Sequence, residues 1–446
     1  MGKAGIQQRG TNSSIPFWRT PWFYLIVVFV LFWAYRIIPP LYPNAPFIES
    51  MRFHVVSGLP VGDTAIARTV LLPIITILVL VLLWQIRLSR PITARMALFG
   101  SALLVLPLFF APPLASGDVY AYGYYGRLVA VHGENPYTVR EDAQIRDVYL
   151  DATYAKHPFQ TNYGPLWTSL EADIMRVAGN SLQRGVFLFR SIAVISFLAS
   201  VALLWLMLPE NYRDRRLLLF AWNPYVLFEV GNNAHNDMFM MVWAILAVFA
   251  FQRKWHVFSL LSLSIATLVK FVPLFLLPVF LLVMLREKPK RRILLHAGVG
   301  AAVAFIFAII AFLPFWSGLA TFRLMAMLGA TFSLPVYHPL LLLAWLFQVT
   351  IIPNPATAAT VVHAIGIVGF AITLFWIARM AWRSFGKELP TAALLYFSGF
   401  LVFAMSFYQP WYLLWVIPLI VLWKSPKAAP VLILLSILGS FTYAIF

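Results

Sequence analysis

An all-α, multi-pass membrane fold is what this sequence predicts, and three observations carry the prediction: its apolar excess, the length of its apolar runs, and the placement of its cations. Hydrophobic residues make up 61% of the 446 positions and charged residues only 11%, with a mean hydropathy of +0.83. A water-soluble chain of this size needs more polar surface than that. Crossing about 30 Å of hydrocarbon takes roughly 20 apolar residues per helix, so one chain this long can hold about a dozen spans. The 33 Lys and Arg outnumber the 16 Asp and Glu, which in a soluble protein would suggest a nucleic-acid partner. Here the cations collect in short loops between apolar runs, where they orient helices and meet anionic headgroups, and no basic stretch is interleaved with stacking aromatics. Nucleic acid is therefore not an expected partner. There is no cysteine, which excludes disulfides and thiol catalysis.

Taken in order, apolar runs fall at about 22–38, 64–86, 96–115, 186–208, 217–231, 238–252, 255–269, 271–285, 293–315, 358–378, 391–407, 411–423 and 429–446, giving 13 expected spans. Lys3, Arg9 and Arg19 precede the first run, which lacks a small-residue cleavage site and reads as an anchor. With the N-terminus inside, the loops carrying Arg87/Arg90/Arg95, Arg213/Arg215/Arg216, Arg253/Lys254, Arg286 to Arg292, Arg379/Arg383/Lys387 and Lys424/Lys427 all fall in the cytoplasm. The short apolar stretch 339–352 is read as re-entrant or interfacial, because a full span there would reverse every later loop. Pro273, Pro278 and Pro418 predict kinked or tilted helices.

The chain thus reads as a single transmembrane domain over 1–446: the first three spans in 1–115, a long outer segment in 116–185, and the remaining spans in 186–446. Within the outer segment, Asp118 to His132, Glu141 to Ala155 and Leu166 to Ala178 mix aromatics and charges as surface-lying amphipathic helices do. Turns are expected at Glu134-Asn135-Pro136 and Tyr163-Gly164-Pro165.

Chemistry-bearing residues gather at the outer ends of these spans. Asp118 follows the third span, where a carboxylate at the bilayer edge is partly desolvated yet within reach of substrate, as a general base should be; the alternative is a helix N-cap. His235-Asn236-Asp237 places polar groups between apolar runs, which is costly unless they pair or serve a function. A His and an Asp two residues apart could begin a metal site, but no third ligand is in view. Lys270 stands against the positive-inside trend, where a cation can pair with a carboxylate, snorkel, or hold a phosphate. Arg127 offers a forked phosphate contact or an ordinary amphipathic surface cation. Trp167, Trp316, Trp411 and Trp415 fit an interfacial aromatic belt, with sugar stacking weighed at Gln409-Pro410-Trp411-Tyr412.

Gly117-Asp118-Val119-Tyr120 with Tyr122, Gly126-Arg127, Gly133 with Asn135-Pro136-Tyr137, and Tyr163-Gly164-Pro165-Leu166-Trp167 together resemble the first large loop of GT-C glycosyltransferases. The nearest resemblance is to bacterial polyprenol-phosphate-mannose-dependent mannosyltransferases. Trp222-Asn223-Pro224, Asn233-Ala234-His235-Asn236-Asp237, Thr267-Leu268-Val269-Lys270 and the stretch Gln409 to Trp415 extend the likeness in the same order. The resemblance implies an inverting transfer of a sugar, expected to be mannose, from a polyprenyl-phosphate donor to an extracytoplasmic glycan or glycolipid, in the bacterial cytoplasmic membrane. Asp118 would be the base, and Arg127 and Lys270 would hold the donor phosphate. Tyr122, Asn135, Tyr137, Tyr163, His235, Asn236, Asp237, Gln409, Trp411 and Tyr412 would line the substrate site. No second acidic residue adjoins Asp118, so a metal-free, single-base mechanism without cofactor is expected. A transporter or flippase is the alternative; its polar residues would run through the membrane midplane rather than lie on one side.

Overall fold

A computed structural model describes residues 15–37, 72–88, 90–111, 113, 116–153, 157–286, 290–324, 355–405 and 408–443, and the described residues form helices and turns with no β-strand. The expectation at 339–352 lies outside them. In chain order the α-helices are α1 (Pro21–Ile37), α2 (Leu72–Gln85), α3 (Ala94–Phe109), α4 (Asp118–Ala130), α5 (Val148–Ala152), α6 (Pro165–Ala178), α7 (Leu182–Met207), α8 (Glu210–Ala221) and α9 (Pro224–Phe228). They continue as α10 (Asp237–Gln252), α11 (His256–Val269), α12 (Leu276–Met284), α13 (Lys290–Phe312), α14 (Pro355–Arg383), α15 (Leu389–Gly399), α16 (Ile417–Leu422) and α17 (Ala428–Thr442).

The membrane reading shows in what the long helices expose. On α13, Leu294, Leu295, Phe305, Ile306 and Ile310 face outward, as do Ile367, Val368, Ile372, Phe375 and Trp376 on α14. Exposed apolar faces of that extent belong against lipid. Among the described residues, Leu182–Met207, Lys290–Phe315 and Ala364–Arg383 are each long and apolar enough to cross a membrane. A fourth candidate, Pro224–Asn233 with Asp237–Gln252, passes only as a pair bent by 120°. The 13 expected spans are therefore not matched one for one. Several apolar runs form helices of 10–17 residues, and a 14-residue helix rises only about 21 Å, short of the hydrocarbon thickness.

The segment 116–185 also departs from expectation at one place. Asp118 to His132 and Leu166 to Ala178 are helical nearly as read, but the stretch from Glu141 is helical only over Val148–Ala152. Asp147 caps that short helix by accepting the Tyr149 N–H at 2.9 Å, so the chain before it is spent on the cap and turns. Two close approaches then join α4, α6 and α11. A Cβ on Gly126 would stand 2.3 Å from the Glu171 carbonyl oxygen, and one on Gly164 would stand 2.0 Å from that of Leu268. Pro165 occupies the first turn of α6, where its missing N–H is no loss. The Gly164 N–H donates to the Val269 carbonyl at 2.9 Å, which sets Tyr163 beside the residue that follows α11, Lys270.

The 217–231 run, read as one span, breaks twice. Asn223 caps α9, accepting from Tyr225 N–H at 3.0 Å while its amide donates to Leu219 O and to Ser436 Oγ on α17. After Phe228 the helix widens into a π turn, Glu229–Asn233, of the kind common at functional sites. Ala234 then takes a left-handed conformation, φ 60°, and the chain reverses into α10. A non-glycine residue held there stores strain, and the segment it bends carries Glu229 and His235.

Candidate active site

Four elements converge at this bend: the start of α4, the π turn with Ala234 to Asp237, the end of α11, and the 3₁₀ turn Pro410–Trp415. Asp118 is the first residue of α4 with Gly117 as its N-cap, so the N-cap reading of its carboxylate does not hold. Its side chain is 22% exposed, and its Oδ2 lies 3.5 Å from Nδ1 of His235. The first turn of a helix is a favourable place for a carboxylate. On the far side of the same imidazole, Nε2 lies 3.5 Å from Oε2 of Glu229. The ring is fixed from above by Trp411, stacked at 4.0 Å and 16°. An Asp118–His235–Glu229 row thus runs from the open edge of the site into the core.

A second charged pair lies alongside. Lys270 Nζ donates to Asp237 Oδ1 at 2.7 Å, and the Trp415 indole N–H donates to the same oxygen at 2.5 Å. The ammonium also sits over the rings of Tyr412, Trp415 and Tyr163 at 4.8, 5.2 and 5.7 Å, where their π faces favour a cation. Asp237 is wholly buried, and its second oxygen has no partner among the described residues. The two groups are joined through Tyr122, whose hydroxyl accepts the Asn236 N–H at 3.3 Å and whose ring meets Tyr163 edge-on at 5.3 Å. Burial holds the Tyr122 and Tyr163 hydroxyls well above the usual phenol range, and the Asp118 charge adds to it. Asn236 is 1% exposed, yet neither atom of its side-chain amide finds a partner among the described residues. A buried, unspent amide costs stability unless something bound uses it.

Of the residues singled out in the sequence, Asp118, Tyr122, Tyr163, His235, Asn236, Asp237, Lys270, Trp411 and Tyr412 come together here. Gln409 stands half-buried at the head of the 3₁₀ turn. Three others are employed elsewhere. Arg127, near the other end of α4, donates to Asp147 Oδ2 at 2.6 Å and to the Gly179 carbonyl at 2.9 Å. Asn135 donates to Phe315 O and Ser317 Oγ at 2.9 and 3.0 Å. Tyr137 donates to Tyr163 O at 2.9 Å. Trp316 is exposed, as an aromatic belt requires, whereas Trp167 and Trp415, at 1% and 0% exposed, do not fit that reading.

Sequence reasoning missed Glu229. The available signal was an acidic residue inside an apolar run, which is expensive in lipid and marks a functional position. Tyr443 on α17 donates to both its oxygens, at 2.7 and 2.9 Å, and Asn233 donates at 2.9 Å. Asp118 therefore has acidic company, with Glu229 and Asp237 arriving through space rather than beside it in the chain. Among the described residues, no group of three or more His, Asp or Glu side chains is arranged to hold a metal ion.

A family model described as "Alpha-(1->6)-mannopyranosyltransferase, N-terminal domain" matches residues 41–286, a stretch that contains α4, the π turn and Lys270. Alpha-(1->6)-mannopyranosyltransferase A of Mycobacterium tuberculosis is 25% identical over 285 residues, 61% of this chain and 51% of that protein. The protein of the same name from Corynebacterium glutamicum is 24% identical over 178 residues, 39% of this chain and 36% of that protein. The chain thus spans about half or less of the length of the curated relatives it matches. No solved structure matches it.

Proposed function

The chain belongs to the alpha-(1->6)-mannopyranosyltransferase family, and from that premise we propose that it transfers mannose from a polyprenyl-phosphate donor to a hydroxyl of a glycan or glycolipid at the extracytoplasmic face, by a single inverting displacement. The observation that carries the proposal is Asp118: a helix-terminal carboxylate, 22% exposed, backed by a buried histidine, in a site that also holds the half-buried Lys270 on Asp237. Asp118 takes the acceptor proton as the acceptor oxygen attacks the anomeric carbon, and the bond to phosphate breaks with its electron pair leaving on the lipid phosphate. Lys270 faces the growing phosphate charge. Arg127, tied to Asp147, is left out of that role. Asn236 and the free oxygen of Asp237 meet sugar hydroxyls, and Trp411 and Tyr412 supply the ring faces. Inversion that yields the α linkage in the relatives' names requires the donor mannosyl phosphate to be β-linked. Positive-inside loops support placing this face outside the cytoplasm.

The test is transfer by pure protein in detergent from a radiolabelled panel of polyprenyl-phosphate sugars into mannan or glycolipid acceptors, with and without EDTA. Transfer from the β-mannosyl donor alone, unchanged by EDTA, is the expected result. Transfer from another sugar, dependence on metal, or retention of the donor anomeric configuration would overturn the corresponding part. Solute counterflow in liposomes without any product would replace the enzyme by a transporter.

A further inference from the structure

We propose that Glu229 is a positioning residue of this site: it acts through His235 to make the imidazole the second carrier of the acceptor's proton. The inference rests on the transfer reaction proposed above. One imidazole lies 3.5 Å from a carboxylate at each ring nitrogen. Both gaps are longer than a made hydrogen bond, and catalytic hydrogen bonds commonly tighten only once substrate is bound.

Glu229 is 0% exposed, and a buried carboxylate persists only with dedicated partners. It has them in the Tyr443 hydroxyl and the Asn233 amide, with Tyr225 and Tyr408 close enough to feel its charge. These neighbours are donors or neutral rings, and the carboxylate's remaining polar neighbour is His235, whose Nε2 lies 3.5 Å away. With the imidazole proton on Nε2 toward Glu229, the Nδ1 lone pair faces Asp118. The acceptor O–H proton passes to Asp118 Oδ2 and then to Nδ1. The imidazolium so formed is flanked by two carboxylates, and Asp118 is again an anion. Glu229 keeps its charge throughout, as the acid that orients a catalytic histidine does. The stacked Trp411 ring holds the imidazole in the plane that both carboxylates need. The other charges around the ring, Asp237 and Lys270, are paired with each other.

The experiment is the pH profile of kcat for mannosyl transfer by the full chain, comparing wild type with Glu229→Gln and Glu229→Asp. Reaction needs Nδ1 free, so the acidic limb reports the imidazolium. Removing a neighbouring negative charge disfavours a protonated ring, so the limb moves to lower pH. Glu229→Gln should shift the limb down by about 1 unit or more and lower kcat about 10-fold or more, with donor KM within about twofold. Glu229→Asp keeps the charge and should keep the limb, giving the activity order Glu, Asp, Gln. A role in packing alone predicts the reverse order of the variants, since Gln is the closer isostere, and no shift in either. An unshifted limb in an active Glu229→Gln, or Gln above Asp, overturns the relay and leaves the transfer reaction standing. Absence of transfer by wild type overturns the reaction itself, and the relay with it.

Discussion

Replacing Lys270 by methionine separates what the Lys270–Asp237 pair does for stability from what it does for transfer. Methionine keeps most of the stem among Tyr163, Tyr412 and Trp415 but removes the ammonium. Asp237, whose side chain is wholly buried, then keeps only the Trp415 N–H on one oxygen. Breaking a buried pair by deleting one partner costs about 3–5 kcal/mol, because the remaining charge is stranded. With an unfolding entropy of about 2.1 cal/mol/K per residue, roughly 0.9 kcal/mol/K for the 446-residue chain, the melting temperature should fall by about 3–5 °C. The double variant Lys270→Met/Asp237→Asn removes the stranded charge and should recover most of that loss. Transfer should stay low in both, because the cation facing the donor phosphate is missing in both. The assay is paired, with thermal unfolding in detergent beside initial rates from the mannosyl donor. A single variant that melts like wild type would refute the stability reasoning, and a double variant that regains transfer would refute the phosphate role.

Glu171, buried on α6 with neither oxygen hydrogen-bonded among the described residues, is pushed well above the usual carboxyl range by its burial. A carboxyl raised in the folded state contributes stability below its unfolded pKa of about 4.3 and loses it as pH rises toward the folded value. Glu171→Gln should therefore raise the melting temperature at pH 8 and leave it little changed at pH 4.5; a lower melting temperature at pH 8 would contradict this. Gly164→Ala places a methyl against the Leu268 carbonyl and should push Tyr163 from Lys270. Transfer should fall at least about 10-fold, as misplacement near 1 Å costs about 100-fold, and a fully active Gly164→Ala would show that the approach is not needed.

Much of the site could be read from the sequence because polar residues in apolar surroundings announce themselves. Asp118, His235, Asn236, Asp237 and Lys270 each stand beside an apolar run, and the structure brings all five together. Arg127 misled because an amphipathic helix presents its cation identically whether the partner is a lipid phosphate or, as here, Asp147 from 20 residues away. Glu229 was hidden for the opposite reason: it lies within an apolar run, and only the π turn and the reversal at Ala234 set it against His235. The count of 13 spans is not confirmed where helices are short or broken, since hydropathy measures composition and cannot see the cap at Asn223 or the 120° bend before α10.

The most direct test of the account is the single-turnover rate of mannosyl transfer by Asp118→Asn, measured beside donor binding. The amide preserves the size of the side chain and its place at the start of α4, but it cannot take a proton. Donor binding should stay within about threefold of wild type and the transfer rate should fall by about 10²–10⁴, the contribution of a positioned general base. Transfer near the wild-type rate would contradict it and move the base to another residue of the Asp118, His235 and Glu229 row.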